Sequence, residues 1–419
     1  MSRVPMQDAP PPTDLMLRGG LYLLVASIPF EYPERTIPME IPTLTAAIFL
    51  LVTLLHPGRC YGRLPAPALW FGGYLVAFLL SIVLGQAERA AAAISELVVM
   101  FQGVLVFLAA GNLMRDEKVA RRALMILVAA CSIRAALPFL GLGRTTNAVW
   151  TGGERVSALG QNANSAAMIL AAGLVALIGL FLARRIKSKR TLALAGVLAA
   201  LLGMAILETG SRGGFAALVG GVMVFAFAAH TWRQRLRNGA IAMLAVFLLG
   251  FAAIHLPVMN NRLRDTFTTG NLAGREQIYP ALWRMFLEKP VMGWGPIANT
   301  YELALRIGER DKPKREAHNL ILGLLTAGGL VTAIPFLMGA WLSFQGAWRA
   351  RAREHGVLPL ALFCSLFLSN MSGDWGASKL LWLVLAYAFV SATWRPQIPW
   401  PTPVRSRRWV ITLPSNVGG

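Results

Sequence analysis

Three positions in this sequence pair a charged or titratable side chain with a local pattern that could do chemistry: Arg212, Arg275 and His318. A guanidinium group can bind two phosphate oxygens at once. An imidazole titrates near neutral pH and can take a proton from a hydroxyl. Each position also allows a purely structural interpretation, so the local pattern around each one has to be weighed.

Arg212 lies in a short connection, residues 208–214, between two apolar segments. Ser211 is suited to cap the helix that follows, and Gly213 and Gly214 leave the backbone accessible. A helix N-terminus with free amides beside a guanidinium predicts a phosphate-binding site. A tight turn with an arginine that reaches the membrane surface explains the pattern equally well.

Arg275 opens a segment with helical periodicity that ends at Lys289-Pro290. The pattern predicts an amphipathic helix with Arg275 in its first turn. A turn at residues 293–296 and a second short helix, 299–310, are predicted next. The apolar face comprises Ile278, Leu282, Met285 and Phe286. A surface helix with incidental charge is an equally good interpretation.

His318 and Asn319 precede a uniformly apolar segment, which places the imidazole at the end of a predicted span. A lone histidine at a helix end is more often a hydrogen-bonded interfacial residue than a base. Ionisable residues inside membrane spans are costly and are usually paired or face a polar cavity. Glu96, Arg134, Glu208 and Asp374 therefore predict such a cavity, with Glu96 and Arg134 as a structural pair.

The elements that position these residues are membrane spans. The chain of 419 residues is 56% hydrophobic and 14% charged, with a mean hydropathy of +0.55, far more apolar than a soluble protein. The polar start, residues 1–14, predicts no cleavable signal sequence. The apolar segments predict an all-α integral membrane protein with about twelve spans: 17–30, 43–56, 67–85, 91–113, 122–140, 163–183, 191–208, 214–230, 239–255, 319–345, 356–372 and 377–394.

The positive charges predict the orientation of these spans. Of the 40 Lys and Arg residues, 23 lie on the side of the N-terminus and six in the short segments on the other side. Both termini are therefore predicted to be cytoplasmic. The excess of positive charge, +20, then faces anionic lipid, and it does not indicate nucleic-acid binding.

The predicted organisation is residues 1–255 with nine spans, a long extracytoplasmic loop at 256–318, residues 319–394 with three spans, and a cytoplasmic tail at 395–419. The loop contains the predicted amphipathic helices. The three cysteines have no metal-like spacing, and no paired carboxylates are present on the outer side. We therefore expect no metal, no disulfide and no cofactor.

The motifs occur in a fixed order along the chain: Ser211-Arg212-Gly213-Gly214, Gly274-Arg275, Gly293-Trp294-Gly295, Ala317-His318-Asn319 and Gly328-Gly329-Leu330. With the twelve spans, this order resembles the O-antigen ligase and polymerase superfamily of bacterial membrane glycosyltransferases, and O-antigen ligase most of all. The part that bears the motifs extends from about Leu207 to Leu330.

The resemblance implies a GT-C-like enzyme at the periplasmic face of the bacterial inner membrane. It would transfer O-antigen from undecaprenyl diphosphate to a sugar hydroxyl of lipid A-core, with inversion and without a metal, in lipopolysaccharide biosynthesis. Arg212 and Arg275 would bind the diphosphate, and His318 would be the general base. Ser211, Gly213, Gly214, Asn319 and Asp374 are candidates for substrate binding.

Alternatives remain open at this stage. An O-antigen polymerase or a protein O-oligosaccharyltransferase would use the same lipid-linked donor and the same donor site. A small-anion transporter would use the outer arginines as a funnel and should need counterparts on the inner side. A proton-coupled carrier would be expected to show midplane charges and repeated halves, and the sequence shows neither.

Overall fold

In a computed structural model, the described residues are 12–31, 41–84, 89–149, 153–183, 188–228, 231–308, 313–351 and 356–394. The predicted tail, 395–419, lies outside them. The described residues form the helices α1 (Pro12–Ser27), α2 (Ile41–Leu54), α3 (Pro57–Cys60), α4 (Ala66–Val83), α5 (Ala90–Leu113), α6 (Glu117–Phe139), α7 (Ala163–Ala183), α8 (Lys189–Glu208), α9 (Arg212–Phe227), α10 (Trp232–His255), α11 (Pro257–Thr269), α12 (Arg275–Glu288), α13 (Ala298–Arg306), α14 (Leu320–Ala350), α15 (Leu358–Ser369) and α16 (Lys379–Val390).

Seven helices in the described ranges are long and apolar enough to cross a membrane: α4, α5, α6, α7, α8, α10 and α14. Shorter apolar helices occupy the other five predicted spans. The shortest of these, α15 and α16, have 12 residues each and would extend about 18 Å, less than the roughly 30 Å of a bilayer core. The structure therefore supports a helical membrane protein, and the count of twelve spans stays a prediction.

The expectation of an all-α fold is corrected by one β-hairpin between α6 and α7. Strand β1 (Arg144–Val149) pairs antiparallel with β2 (Gly153–Ala158), with Thr145 opposite Ser157 and Thr146 opposite Val156. The Thr145 hydroxyl also lies 2.8 Å from the Ser157 hydroxyl. β-Branched residues at these facing positions favour extended backbone over helix, so this loop forms strands.

The helices pack closely where a small residue on one helix leaves room for a large side chain on another. Gly103 on α5 lies directly against the indole of Trp382 on α16, where a Cβ would collide with the ring. The ring of Phe71 packs edge-on against Trp382, with centroids 5.0 Å apart, and against Phe107 at 5.1 Å. The core of the bundle thus includes an aromatic cluster that joins α4, α5 and α16.

A break in α14 anchors the segment between α12 and α13. Gly329 has φ +64° and ψ −159°, outside the helical region, so the backbone of α14 is interrupted there. The amides of Trp294 and Gly295 donate to Thr326 and Ala327 carbonyls, at 2.8 and 2.9 Å. Gly293 has φ +65°, and a Cβ there would lie 2.7 Å from the Thr326 carbonyl oxygen. The predicted turn at 293–296 is therefore a docking segment on α14.

The predicted amphipathic helix at Arg275 is confirmed as α12, which ends before Pro290. Its residues Ile278, Leu282 and Met285 are buried together with Leu303 of α13 and Ala317. These side chains form a small core separate from that of the main bundle, so α12 and α13 are held as a layer over the start of α14. The second short helix, predicted as 299–310, ends at Arg306, and residues 309–312 lie outside the described ranges.

Candidate functional site

The N-terminus of α9 is capped as predicted. The Ser211 hydroxyl accepts a hydrogen bond from the Gly214 amide at 3.2 Å, which makes Arg212 the first residue of the helix. The expectation of accessible glycines is wrong for Gly214, which is buried against Ala167. Gly213 lies directly against the Ser372 side chain. These two glycines serve close packing because any Cβ would collide there, and their predicted substrate contacts stay predictions.

The side chain of Arg212 is positioned by α11, a helix that the sequence analysis did not predict. Its Nη1 donates to the carbonyl of Asn271 at 2.7 Å and to the carbonyl of Arg262 at 3.2 Å. It also contacts the Thr266 hydroxyl. All of these acceptors are neutral. The guanidinium is thereby fixed in place while its charge is available to a ligand.

Arg275 is positioned in the same way at the start of α12. Gly274 has φ +83°, which lets the chain turn into the helix. The Nη2 of Arg275 donates to the carbonyl of Ser372 at 2.6 Å, and Nη1 donates to the carbonyl of Leu272 at 3.2 Å. Its Nε is buried and has no hydrogen-bond partner. Within the described ranges, no carboxylate is within ion-pair distance of Arg212 or Arg275.

Two further arginines, Arg155 of β2 and Arg262 of α11, complete a cationic cluster. Arg155 donates from Nε to the Thr209 carbonyl and from Nη2 to the Asn164 side-chain oxygen, both at 2.7 Å. Burial, followed by the charges of Arg262, Arg275 and Arg212, lowers the pKa of Arg155 to about 10. Burial, then the charges of Arg212 and Arg275, also lowers the pKa of Arg262, so the guanidiniums of this cluster interact unfavourably.

Gly210 makes room for this cluster. It has φ +60°, and a Cβ there would lie 2.7 Å from Val258 Cγ1, 3.1 Å from Arg262 Cδ and 3.6 Å from Arg155 Cγ. Only glycine combines this backbone conformation with so close an approach. Neither Arg155 nor Arg262 is among the site residues predicted from the sequence. The signal for Arg155 was the polar connection between α6 and α7, which contains the β-branched residues Thr145, Thr146, Val149 and Val156.

His318 has the left-handed backbone conformation, with φ +49°, which is unusual for a residue with a side chain. The Tyr279 hydroxyl lies 3.0 Å from the His318 carbonyl oxygen and 2.7 Å from that of Met371, and donates its proton to one of them. Burial, then the charges of Arg275 and Arg315, lowers the pKa of His318 to about 4. The imidazole is therefore neutral at pH 7.

One loop, residues 370–376, joins these parts. The Ser372 carbonyl binds Arg275, and the Ser372 side chain packs on Gly213. The Asn319 side chain caps α14 by accepting from the Leu322 amide at 3.0 Å and donates to the Met371 carbonyl at 3.3 Å. The structure thus brings the turn at Arg212, the start of α12 and the start of α14 to one place. Asn319 has an architectural role there, and its predicted substrate contact stays a prediction.

The same loop places an acidic group near the start of α14. A Cβ on Gly323 would lie 2.6 Å from the Asp374 carboxylate. Desolvation raises the pKa of Asp374 to about 7; the Gly376 amide hydrogen bond lowers it, and the charges of Glu96 and Glu316 raise it further. Glu96 also interacts with Lys314. Arg134 is buried on α6 near Cys131, and its predicted pairing with Glu96 stays a prediction.

The site thus has two electrostatic halves. The arginines form the positive half, and the carboxyl groups of Glu96, Asp374 and Glu316 form the acidic half. His318 interacts with both halves, because the charge of Arg275 lowers its pKa and its Nδ1 lies 3.8 Å from the Glu316 carboxylate. In the described part of the chain, no three His, Cys, Asp or Glu side chains are grouped so that they could hold a metal ion.

The fold and the site define a class: a helical membrane protein with a cluster of arginines beside a neutral histidine. Residues 197–337 match the family model of O-Antigen ligase, which covers roughly a third of the chain and includes Arg212, Arg275 and His318. The resemblance noted in the sequence is confirmed over this segment.

Members of this family are glycosyltransferase-like enzymes that act on lipid-linked glycans. The apolar helices of the chain are those of a multi-pass membrane protein. Asp374, Arg155 and most of the helical bundle lie outside the matched segment. A comparison with curated proteins gives no match.

Proposed function

We propose that this protein is an O-antigen ligase, which transfers a glycan from undecaprenyl diphosphate to a sugar hydroxyl of lipid A-core. The observation that carries the proposal is the convergence of Arg212 and Arg275, both fixed by backbone carbonyls and free of carboxylate ion pairs, beside a neutral His318. Binding an anion would relieve the repulsion among the arginines. A leaving group that becomes more negative during the reaction would relieve it most.

The donor diphosphate is proposed to contact Arg212 and Arg275. As the bond between the anomeric carbon and the phosphate oxygen breaks, the electron pair stays on the diphosphate, and preorganised guanidiniums stabilise this charge. Arg155 and Arg262 would add to the positive field at this site. The four guanidiniums could stabilise the negative charge of the diphosphate as a divalent cation does elsewhere, so we expect activity without a metal.

His318 is proposed to be the general base. The acceptor hydroxyl oxygen attacks the anomeric carbon from the face opposite the diphosphate, and the imidazole takes the hydroxyl proton, which gives inversion. The imidazole must be neutral to act, and its lowered pKa keeps it so. The acidic half of the site, including Asp374, would accept hydrogen bonds from sugar hydroxyls of the acceptor.

The proposed orientation in the membrane follows from the distribution of positive charge along the chain and from the proposed function. Twelve spans of a GT-C-like fold would lie in the bacterial inner membrane with both termini in the cytoplasm. The site would then face the periplasm, where α12 could cover the acceptor. Apolar helix surfaces would hold the polyprenyl chain and other membrane lipids.

The glycan profile of a strain that lacks the gene tests the proposal. Polymer that accumulates on its lipid carrier indicates a ligase, whereas core capped with single repeats indicates a polymerase. Complementation with Arg212→Lys and His318→Ala should then fail or weaken. Normal ligation by His318→Ala would remove the general-base role. Anion flux into liposomes without glycan transfer would instead indicate the transporter alternative.

A further inference from the structure

A cavity separate from the arginine cluster lies between the end of α4, the 293–295 segment and α13. Its volume is about 460 Å³, within the range of roughly 300 to 1,000 Å³ typical of small-molecule sites. Its lining includes Arg89, Lys289, Trp294, Tyr301 and Glu302. Neither the donor nor the catalytic groups of the proposed function occupy it.

Two aromatic rings hold the cations of this cavity in place. The Lys289 ammonium lies 3.8 Å from the centre of the Trp294 ring, and the Arg89 guanidinium lies 4.1 Å from the centre of the Tyr301 ring. Cation–π contact orients a cation without cancelling its charge, as a carboxylate would. Among the described residues, neither cation has a carboxylate within ion-pair distance. The cavity therefore presents two fixed positive charges.

Glu302 gives the cavity a second kind of binding group. One of its carboxylate oxygens accepts a hydrogen bond from Arg306 at 2.8 Å, and Arg306 also binds both oxygens of Glu288 at 2.6 Å. Arg306 thus binds both acids and offsets one of their two negative charges, and the second oxygen of Glu302 can accept from a hydroxyl. A carboxylate does not favour the binding of a simple anion. A sugar phosphate, by contrast, could bind the cations through its phosphate and Glu302 through its hydroxyls.

We propose that this cavity binds a phosphorylated sugar, with Arg89 and Lys289 on the phosphate and Glu302 on the sugar hydroxyls. The amide of Arg315 donates to the carbonyl of Thr300, next to Tyr301, at 3.0 Å, and Lys314 lies over the same tyrosine ring at 5.2 Å. Lys314 is four residues before His318, a separation of at most roughly 14 Å along the chain. A glycan of a few sugars could reach from the cavity to His318.

The identification of this ligand as part of the glycan acceptor rests on the proposed function, but the binding itself does not. The test uses the full-length protein in detergent and measures the equilibrium binding of radiolabelled glucose 6-phosphate. Glycerol 3-phosphate, which mimics a lipid headgroup, and glucose serve as competitors. We expect glucose 6-phosphate to bind more tightly than either, and Arg89→Gln and Lys289→Gln each to weaken its binding about tenfold.

Arg284→Gln, which removes an exposed cation of α12 outside the cavity, is the matched control and should bind as the wild type does. Arg89→Lys should bind with intermediate affinity, which separates loss of charge from loss of fold. His318→Ala should bind normally, so failure of the proposed transfer reaction is distinguishable from failure of this inference. Equal binding of glycerol 3-phosphate would overturn the sugar assignment, and binding unaffected by Arg89→Gln and Lys289→Gln would overturn the site.

Discussion

Replacing Arg275 by lysine and by glutamine separates the two contributions that its guanidinium makes to the proposed site. The group donates to Ser372 and Leu272 carbonyls through different nitrogens, at 2.6 and 3.2 Å. A lysine has one nitrogen and cannot bridge both while it also faces a phosphate. One hydrogen bond to a charged group contributes about 1.5–3 kcal/mol, so Arg275→Lys should lower kcat/KM roughly 10- to 150-fold.

Arg275→Gln should lower kcat/KM more, by about 10² to 10³, because the positive charge on the leaving diphosphate is lost as well. The two variants should also differ in pH dependence. The charge of Arg275 is one cause of the low pKa of His318, about 4, so removing it raises that pKa. Activity requires the neutral imidazole, and the acid limb of the kcat/KM profile should therefore move to higher pH in Arg275→Gln and stay in place in Arg275→Lys.

The assay measures glycan transfer by purified protein between roughly pH 3.5 and 8. This range includes the pKa of His318, about 4, and that of Asp374, about 7. The ionisation of Asp374, with a pKa of about 7, is common to all forms and cancels in the comparison. Arg284→Lys and Arg284→Gln, exposed on the same helix, are the matched controls. Wild-type kcat/KM in Arg275→Lys, or an unmoved acid limb in Arg275→Gln, would refute the reasoning.

Two further predictions concern the turn before α9. Ser211→Ala removes the helix cap and should lower stability by about 1 kcal/mol, seen as a lower melting temperature, whereas Ser188→Ala, whose side chain makes no cap bond, should change little. Gly210→Ala should lower both activity and melting temperature, because its Cβ would press on Arg262 and its φ of +60° costs about 1–2 kcal/mol. Gly250→Ala, with open space around it, is the control, and equal behaviour of the two variants would contradict this role of Gly210.

Local patterns in the sequence predicted the individual elements of the site. The helical periodicity after Arg275 predicted α12, since a surface helix must bury one face, and Ser211 predicted the cap of α9 because caps depend on neighbouring residues alone. The apolar segments likewise predicted the main helices. Such features depend on contacts within a few residues, which a sequence shows directly.

The assembly of the site depends on contacts across the fold, which the sequence does not show. Helix α11 is polar and buries Met259 and Arg262, so its segment was not distinguished from a polar loop, yet it supplies the acceptors for Arg212. Arg155 was counted only as one charge in a short loop, and the hairpin brings it to the cluster. Gly214 was expected to be accessible, but it is buried because α7 packs against α9 at Ala167.

The central claim is that His318 takes a proton from the acceptor while the arginines hold the leaving diphosphate. The most direct measurement is glycan transfer from a polyprenyl-diphosphate donor to a lipid A-core acceptor by the purified protein in the presence of a metal chelator. The wild-type protein should form the acceptor-linked product at full rate, and His318→Ala should be slower by about 10² to 10⁴. Transfer by His318→Ala at the wild-type rate, or loss of wild-type activity in chelator that magnesium restores, would contradict the account.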